Sequence, residues 1–219
     1  MLSQTEENYL KAIYHLSSRG TESVTTNAIS EILLTKPASV SDMLKKLAQK
    51  NVITYVKYQG VQITEQGKTL ALRIIRKHRL WEVFLVNHLK FSWDEVHEIA
   101  EELEHIQSNL LIKKLDEFLG YPTVDPHGDP IPAEDGTVSV PFLVPLDTLD
   151  VDTSVEVASL NETSGDFLRY LDKIGIGIGV KIKVLDKINF DGSLEILIAN
   201  TNRVMISLAI AKNINVGLI

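Results

Sequence analysis

Apolar residues recur at helical spacing through Tyr9, Leu10, Ile13, Tyr14 and Leu16, and the capping-box pattern Ser3-Gln4-Thr5-Glu6 precedes them, which predicts an opening helix. After a turn region at 17–22, Thr25 or Thr26 can cap a short helix whose inward positions are Ala28, Ile29, Ile32 and Leu33. Pro37 suits the first position of the next helix, where its missing N–H costs nothing. Along that helix Val40, Met43, Leu44 and Leu47 form one stripe, and Ser39, Asp42, Lys45 and Lys46 lie opposite. Two helices joined by a tight turn, the second beginning with small polar residues, is the helix-turn-helix layout. Residues 52–57 and 61–64 then alternate as two strands about Gln59-Gly60, which adds the hairpin of a winged helix.

A long helix is predicted from Glu65 to about Asn87, and Ser92-Trp93-Asp94-Glu95 reads as a second capping box opening another. Six of the seven prolines fall between Gly120 and Asp150, an extended connector. Beyond it the pattern shortens to strands at 155–160, 180–185, 194–198 and 204–206, with one helical insertion at 166–171. Asp191-Gly192 and Asn200-Thr201-Asn202 supply turns. Gly175-Ile176-Gly177-Ile178-Gly179 lacks the preceding strand of a dinucleotide loop and reads as a tight β turn. The fold class expected is a mainly α N-terminal two-thirds followed by a small β-domain.

The net charge of −7 argues against nucleic acid until its distribution is considered. Residues 1–80 carry 12 Lys and Arg against 6 Asp and Glu, a net +6, and the other 139 residues carry −13. A basic end on an acidic remainder suits contact with a polyanion. The DNA-facing candidates are Thr26, Lys36, Pro37, Ala38, Ser39, Ser41, Asp42, Lys45 and Lys46, with Lys57 and Tyr58 at the hairpin tip for backbone contacts. Small side chains at the start of the second helix let its N-terminus approach phosphates and base edges. No run approaches the roughly 20 apolar residues of a membrane span, and no basic-then-apolar leader opens the chain, so a cytoplasmic protein with no membrane partner is expected.

The absence of cysteine leaves His, Asp, Glu and Asn as strong metal ligands. His78 and Glu82 are four apart on the long helix. On the next helix His97, Glu101, Glu104 and His105 point into one arc of roughly 100°. Two carboxylates and two imidazoles packed on one arc repel or take up protons, and a divalent cation removes the conflict. The bland alternative is a solvated helix face, which also carries Glu98 and Glu102. An oxygen-and-imidazole set suits Mn²⁺ or Fe²⁺ and would also take Zn²⁺, Co²⁺ or Ni²⁺ in vitro. His127 reads as a turn residue, and His15 and His88 as structural or solvated.

These stretches together resemble the diphtheria toxin repressor family of iron- and manganese-dependent regulators, manganese transport regulators included. The resemblance runs through residues 5–14, the helix from Pro37 to Leu47, Arg76-Lys77-His78-Arg79-Leu80, the segment from Val96 to His105, and Asp125-Pro126-His127-Gly128-Asp129-Pro130-Ile131-Pro132. It implies a primary metal site at Asn8, Glu101, Glu104 and His105, and an ancillary one at His78, Glu82 and His97, to which the last domain lends Glu162 or Asn161. Asn8 stands where iron-type members have Met and manganese-type members Asp, Glu101 follows the manganese type, and Lys11 replaces a Glu that some manganese-type members use.

The resemblance also implies an SH3-like, FeoA-like last domain. The organisation expected is a winged helix at 1–64, a metal-binding and dimerisation domain at 65–135, a linker at 136–153 and the SH3-like domain at 154–219. The implied function is a homodimeric repressor, not an enzyme, that binds palindromic double-stranded operator DNA when Mn²⁺ or Fe²⁺ is bound and controls metal-uptake genes. Two rivals remain: a di-iron carboxylate enzyme, since Glu102 stands three before His105, and a metal-blind winged-helix regulator.

Overall fold

Both halves of the first capping box form: Ser3 Oγ accepts the Glu6 N–H at 3.3 Å, and the Glu6 carboxylate accepts the Ser3 N–H at 2.7 Å. The helix they start, α1 (Gln4–Leu16), belongs to a computed structural model that describes residues 2–56 and 60–218. The contacts expected of Lys57 and Tyr58 lie outside the described residues. The chain folds into two compact units, the first formed by residues 1–78, 101–112 and 132–137, the second by 79–100, 113–131 and 138–219.

In the first unit, Thr25 caps α2 (Thr26–Ile32) by accepting the Ala28 N–H at 3.2 Å. Leu34 takes a positive φ of 47° to turn the chain, and α3 (Pro37–Gln49) starts on Pro37. Val40, Leu44 and Leu47 of α3 are fully buried with Leu10, Ile13, Ile29 and Val61, while Lys36, Pro37, Ala38, Ser39, Asp42, Lys45 and Lys46 stay exposed. Strands β1 (Ile53–Val56) and β2 (Gly60–Ile63) pair antiparallel in the register Ile53↔Ile63, and Val24 bridges to Val61. The apolar stripe therefore fixes which face of α3 is presented to solvent, and it is the polar, basic one.

Helix α4 (Glu65–Asn87) follows immediately, with Thr64 Oγ1 accepting the Gly67 N–H at 3.1 Å. Gly67 is there for packing: a Cβ would stand 1.9 Å from the Val52 carbonyl oxygen. Helix propensity alone favours alanine by about 1 kcal/mol. The clash reverses this, and Gly67→Ala is expected to lower stability by roughly 1–3 kcal/mol in denaturant unfolding.

The second unit holds the end of α4, most of α5 (Val96–Leu103) and α6 (Asn109–Phe118), and the β-domain. Strands β3 (Val144–Pro145), β4 (Ser154–Leu160), β5 (Lys181–Lys187), β6 (Leu194–Ile198), β7 (Asn202–Ile206) and β8 (Ile214–Leu218) make one antiparallel sheet in the order β3-β8-β4-β5-β6-β7. Bulges at Val157/Ser159 and Val184/Asp186 bend β4 and β5 and increase their twist. Helix α7 (Gly165–Ile174) buries Phe167, Leu168 and Leu171 against the sheet and stops at Gly175, which takes the left-handed conformation of a C-cap. A short α8 (Leu208–Ala211) precedes β8.

Some expectations change. The segment expected as linker contains β3 and a 3-10 turn at Leu146–Thr148, because Leu146 and Leu149 are apolar enough to enter the sheet core. Only half of the second capping box forms: Glu95 accepts the Ser92 N–H at 3.1 Å, but its own N–H goes to the Ser92 carbonyl, and α5 begins at Val96. Helix α5 also ends at Leu103, so Glu104 and His105 leave from a turn and do not share a helical arc with His97 and Glu101. Among the described residues no helix is long and apolar enough to cross a membrane.

Candidate functional site

That early stop of α5 carries Glu104 into the core of the first unit. Its side chain is 0% exposed, an expensive place for a carboxylate without partners. Three surround it. Lys11 Nζ of α1 lies 2.7 and 2.8 Å from its two oxygens, His78 Nδ1 of α4 lies 2.7 Å from Oε2, and His105 Nε2 lies 3.9 Å from Oε1. Burial pushes the Glu104 carboxyl up, but the His78 hydrogen bond and the Lys11 charge outweigh it and hold the group below the usual range. Lys11 also reaches Glu101 Oε1 at 3.1 Å. Burial lowers the Lys77 ammonium, against the pull of Glu7 and Glu104.

His105 is oriented from behind. Its Nδ1 lies 2.6 Å from Glu7 Oε2, and Gln107 Nε2 donates to Glu7 Oε1 at 3.0 Å. A carboxylate behind Nδ1 fixes the ring with Nε2 facing Glu104, the orientation in which an imidazole can bind a metal. Asn8 stands on α1 one turn before Lys11 and is half-buried. The ligand atoms of Glu101, Glu104 and His105 do not all fall within 4.8 Å of one another, since the Lys11 ammonium stands between the two carboxylates. The donor set is oxygen and imidazole, chemistry that suits a hard-to-borderline divalent ion, and the Lys11 ammonium bridges its two carboxylates.

A second group of ligands lies in the second unit. Glu82, Asp125 and His127 are all buried, with one ligand atom from each within 4.8 Å of the others, and His97 Nδ1 stands 3.6 Å from Glu82 while remaining exposed. His127 Nε2 is 2.9 Å from the Trp93 carbonyl, which can only accept, so Nε2 donates there and Nδ1 faces Glu82, 3.9 Å away. The Trp93 ring stacks on the imidazole at 15°. His127 does occupy a turn, as its sequence suggests, but a buried one with ligand geometry. His78 and Glu82 lie one turn apart on α4, and the Nδ1 of His78 is committed to Glu104. Glu162 is exposed and accepts the Ser164 N–H at 2.7 Å at the start of α7. It belongs to no gathered group of three ligand side chains among the described residues.

Burial, the negative charge of Glu82 and that of Asp129 push Asp125 up to about 7, against the pull of Arg79, whose Nε is 3.3 Å away. A raised folded-state value means that the folded chain holds more protons than the unfolded one between about pH 4 and 7, so this group's contribution to stability falls as pH rises through that window. With chelator present, the wild-type stability minus that of Asp125→Asn is expected to decline from pH 4 to 7 and level off above. A difference that is flat with pH would count against the assigned environment.

The face that α3 presents is basic and small-residued at its start. A groove of about 380 Å³ is lined by Ala38, Ser41, Asp42, Lys45 and Tyr55. Lys45 is paired with Asp42 at 2.9 Å, and Ser41 Oγ donates to the Pro37 carbonyl, so both expected contacts are engaged within the helix. Thr26 is half-buried, with the capping role taken by Thr25. In the second unit Leu89, Phe91, Phe118 and Tyr121 are exposed, with Phe118 packed on His88 at 4.7 Å between ring centroids.

Sequence reasoning missed Glu7, Gln107, Asp125 and His127. The Asp125-Pro126-His127-Gly128-Asp129 run was the available signal for two of them. Glu7 and Gln107 carried none, since only the fold brings them to His105.

Known proteins share this organisation. Residues 1–61 match the iron dependent repressor N-terminal DNA binding domain, 64–133 the iron dependent repressor metal binding and dimerisation domain, and 144–217 the FeoA domain. The chain is 34% identical to the iron-dependent repressor IdeR of Mycobacterium tuberculosis over 131 residues, 60% of this chain and little more than half (56%) of that protein. The diphtheria toxin repressor of Corynebacterium diphtheriae is 28% identical over 197 residues, 85% of this chain and 86% of that one. A solved manganese-dependent transcriptional repressor in complex with manganese superposes with a TM-score of 0.85 at 34% identity, covering 98% of this chain and all (100%) of that one.

Proposed function

The chain belongs to the iron-dependent repressor family of metal-dependent transcriptional regulators, and from that premise we propose that it binds a palindromic operator as a homodimer when Mn²⁺ or Fe²⁺ is bound, repressing metal-uptake genes. One observation carries the reading. Glu104 is buried where α1, α4 and the turn after α5 meet, so whatever cation it binds couples the first helix of the winged helix to the metal-binding segment.

In this reading Glu101, Glu104, His105 and Asn8 would hold the activating ion, which would supply the positive charge that the buried Glu104 carboxylate needs. Glu7 holds the His105 ring with Nε2 inward. Glu82, Asp125, His127 and His97 form a second, ancillary set. The exposed apolar residues of α6 and its neighbours form the dimer surface, and the two α3 helices enter successive major grooves about one helical turn, or a multiple, apart. Fixing α1 against the Glu104 turn narrows the orientations the winged helix samples, which removes the population cost that DNA binding otherwise bears.

The domain limits proposed are the winged helix to residue 64, the metal and dimerisation segment to 135, the connector to 153 and the SH3-like domain beyond. The test is fluorescence anisotropy with duplex selected from a random-sequence pool, at fixed salt and buffered free Mn²⁺. Affinity should rise with Mn²⁺, return to baseline with chelator, and fall steeply with added salt as counterions compete. Affinity indifferent to Mn²⁺ would leave only a metal-blind DNA binder.

A further inference from the structure

We propose that Lys11 is a resident counter-cation: its ammonium competes with the divalent ion for Glu101 and Glu104 and thereby sets how much metal is needed to activate the protein. The inference rests on the metal-site reading above and goes beyond it, because it assigns a threshold-setting role to a side chain that is not a ligand.

The geometry is specific. Lys11 Nζ makes three contacts of 2.7 to 3.1 Å with the oxygens of two carboxylates, one of which is fully buried. The Lys11 side chain is only 15% exposed, so it reaches inward from α1 and does not lie along the surface. An ammonium placed there satisfies the same two charges that a divalent ion would bridge, and the two cations cannot share the position. Beside the fully buried Glu104, charges this close interact more strongly than in water. Metal entry therefore requires the ammonium to leave. The apparent affinity is lowered by the fraction of time the carboxylates spend free of it.

Departure is feasible. Lys11 has a flexible four-carbon stem that is partly exposed, and Glu104 has a second partner in His78 Nδ1 at 2.7 Å. A role as a purely structural bridge makes the opposite prediction. Removing a structural bridge loosens the junction of α1 with the Glu104 turn and weakens any ion bound there.

The test measures Mn²⁺ affinity of the full chain by isothermal calorimetry at fixed pH and ionic strength. The set comprises wild type, Lys11→Met, Lys11→Gln, Lys11→Arg and Glu104→Gln. Lys11→Met and Lys11→Gln should bind Mn²⁺ at least tenfold more tightly, and Lys11→Arg should stay within about threefold of wild type, because it keeps the charge. Thermal unfolding gives a second readout. With chelator the two neutral variants should melt below wild type, and saturating Mn²⁺ should raise their midpoints by more than it raises the wild type's. Should Lys11→Met not fold, Lys11→Gln alone decides. Neutral variants that bind Mn²⁺ as wild type does, or more weakly, overturn the role of Lys11 while the metal site stands. Wild-type binding that Glu104→Gln leaves unchanged overturns the metal-site reading itself, and Lys11 with it.

Discussion

Replacing Glu104 and His105 together with alanine is expected to abolish metal-dependent DNA binding, leaving affinity at the chelator baseline at every Mn²⁺ concentration. Glu104 is the group around which Lys11, His78 and His105 are arranged, and it is the buried one. Removing it withdraws the negative charge that draws a cation inward, and removing His105 withdraws the imidazole that Glu7 holds in place. The double change also leaves the Lys11 ammonium without its main partner. Breaking one side of a buried ion pair costs about 3–5 kcal/mol, so circular dichroism must show the fold retained. Glu104→Gln, nearly isosteric, should retain the fold and still lose most of the metal response. A double variant that stays folded and responds to Mn²⁺ as wild type does would refute the assignment.

Gly128→Ala is expected to be the most damaging single-methyl change in the second unit. Gly128 has φ +85°, and a Cβ would fall 1.9 Å from the Ala158 carbonyl oxygen and 2.6 Å from Ser159 Cα. Neither contact is with a flexible side chain, so nothing can swing aside. The left-handed backbone adds its own strain. The same approach lets the Leu160 N–H donate to the His127 carbonyl at 3.1 Å, which seats the ligand turn on strand β4 beside its bulge. Forcing them apart should cost about 3 kcal/mol or more and weaken metal binding at Glu82, Asp125 and His127. Denaturant unfolding checks the first, and calorimetry the second. A variant as stable as wild type would show that the turn does not rest on β4.

What could be read from the sequence follows from the range of the interactions involved. Ser3, Thr25 and Pro37 announce their helices because capping is decided within four residues. The stripe Val40, Leu44, Leu47 fixes the exposed face of α3 for the same reason. Spacing singled out Glu104 and His105 as candidates on a continuing helix, but α5 stops at Leu103 and Glu104 turns inward to Lys11 and His78. Long-range pairings had no local signature. Lys11 with Glu101 and Glu7 with His105 are 90 and 98 residues apart. Strand β3 escaped because a two-residue edge strand gives too few positions for alternation to register.

The central claim is that a divalent cation binds among Glu101, Glu104, His105 and Asn8. Anomalous scattering at the manganese edge, from crystals of the full chain grown with Mn²⁺, tests it most directly. A peak is expected within coordination distance of Glu104 and of His105 Nε2, with the Lys11 ammonium turned away from both carboxylates. No peak there, with Lys11 still bridging Glu101 and Glu104 at saturating Mn²⁺, would contradict it.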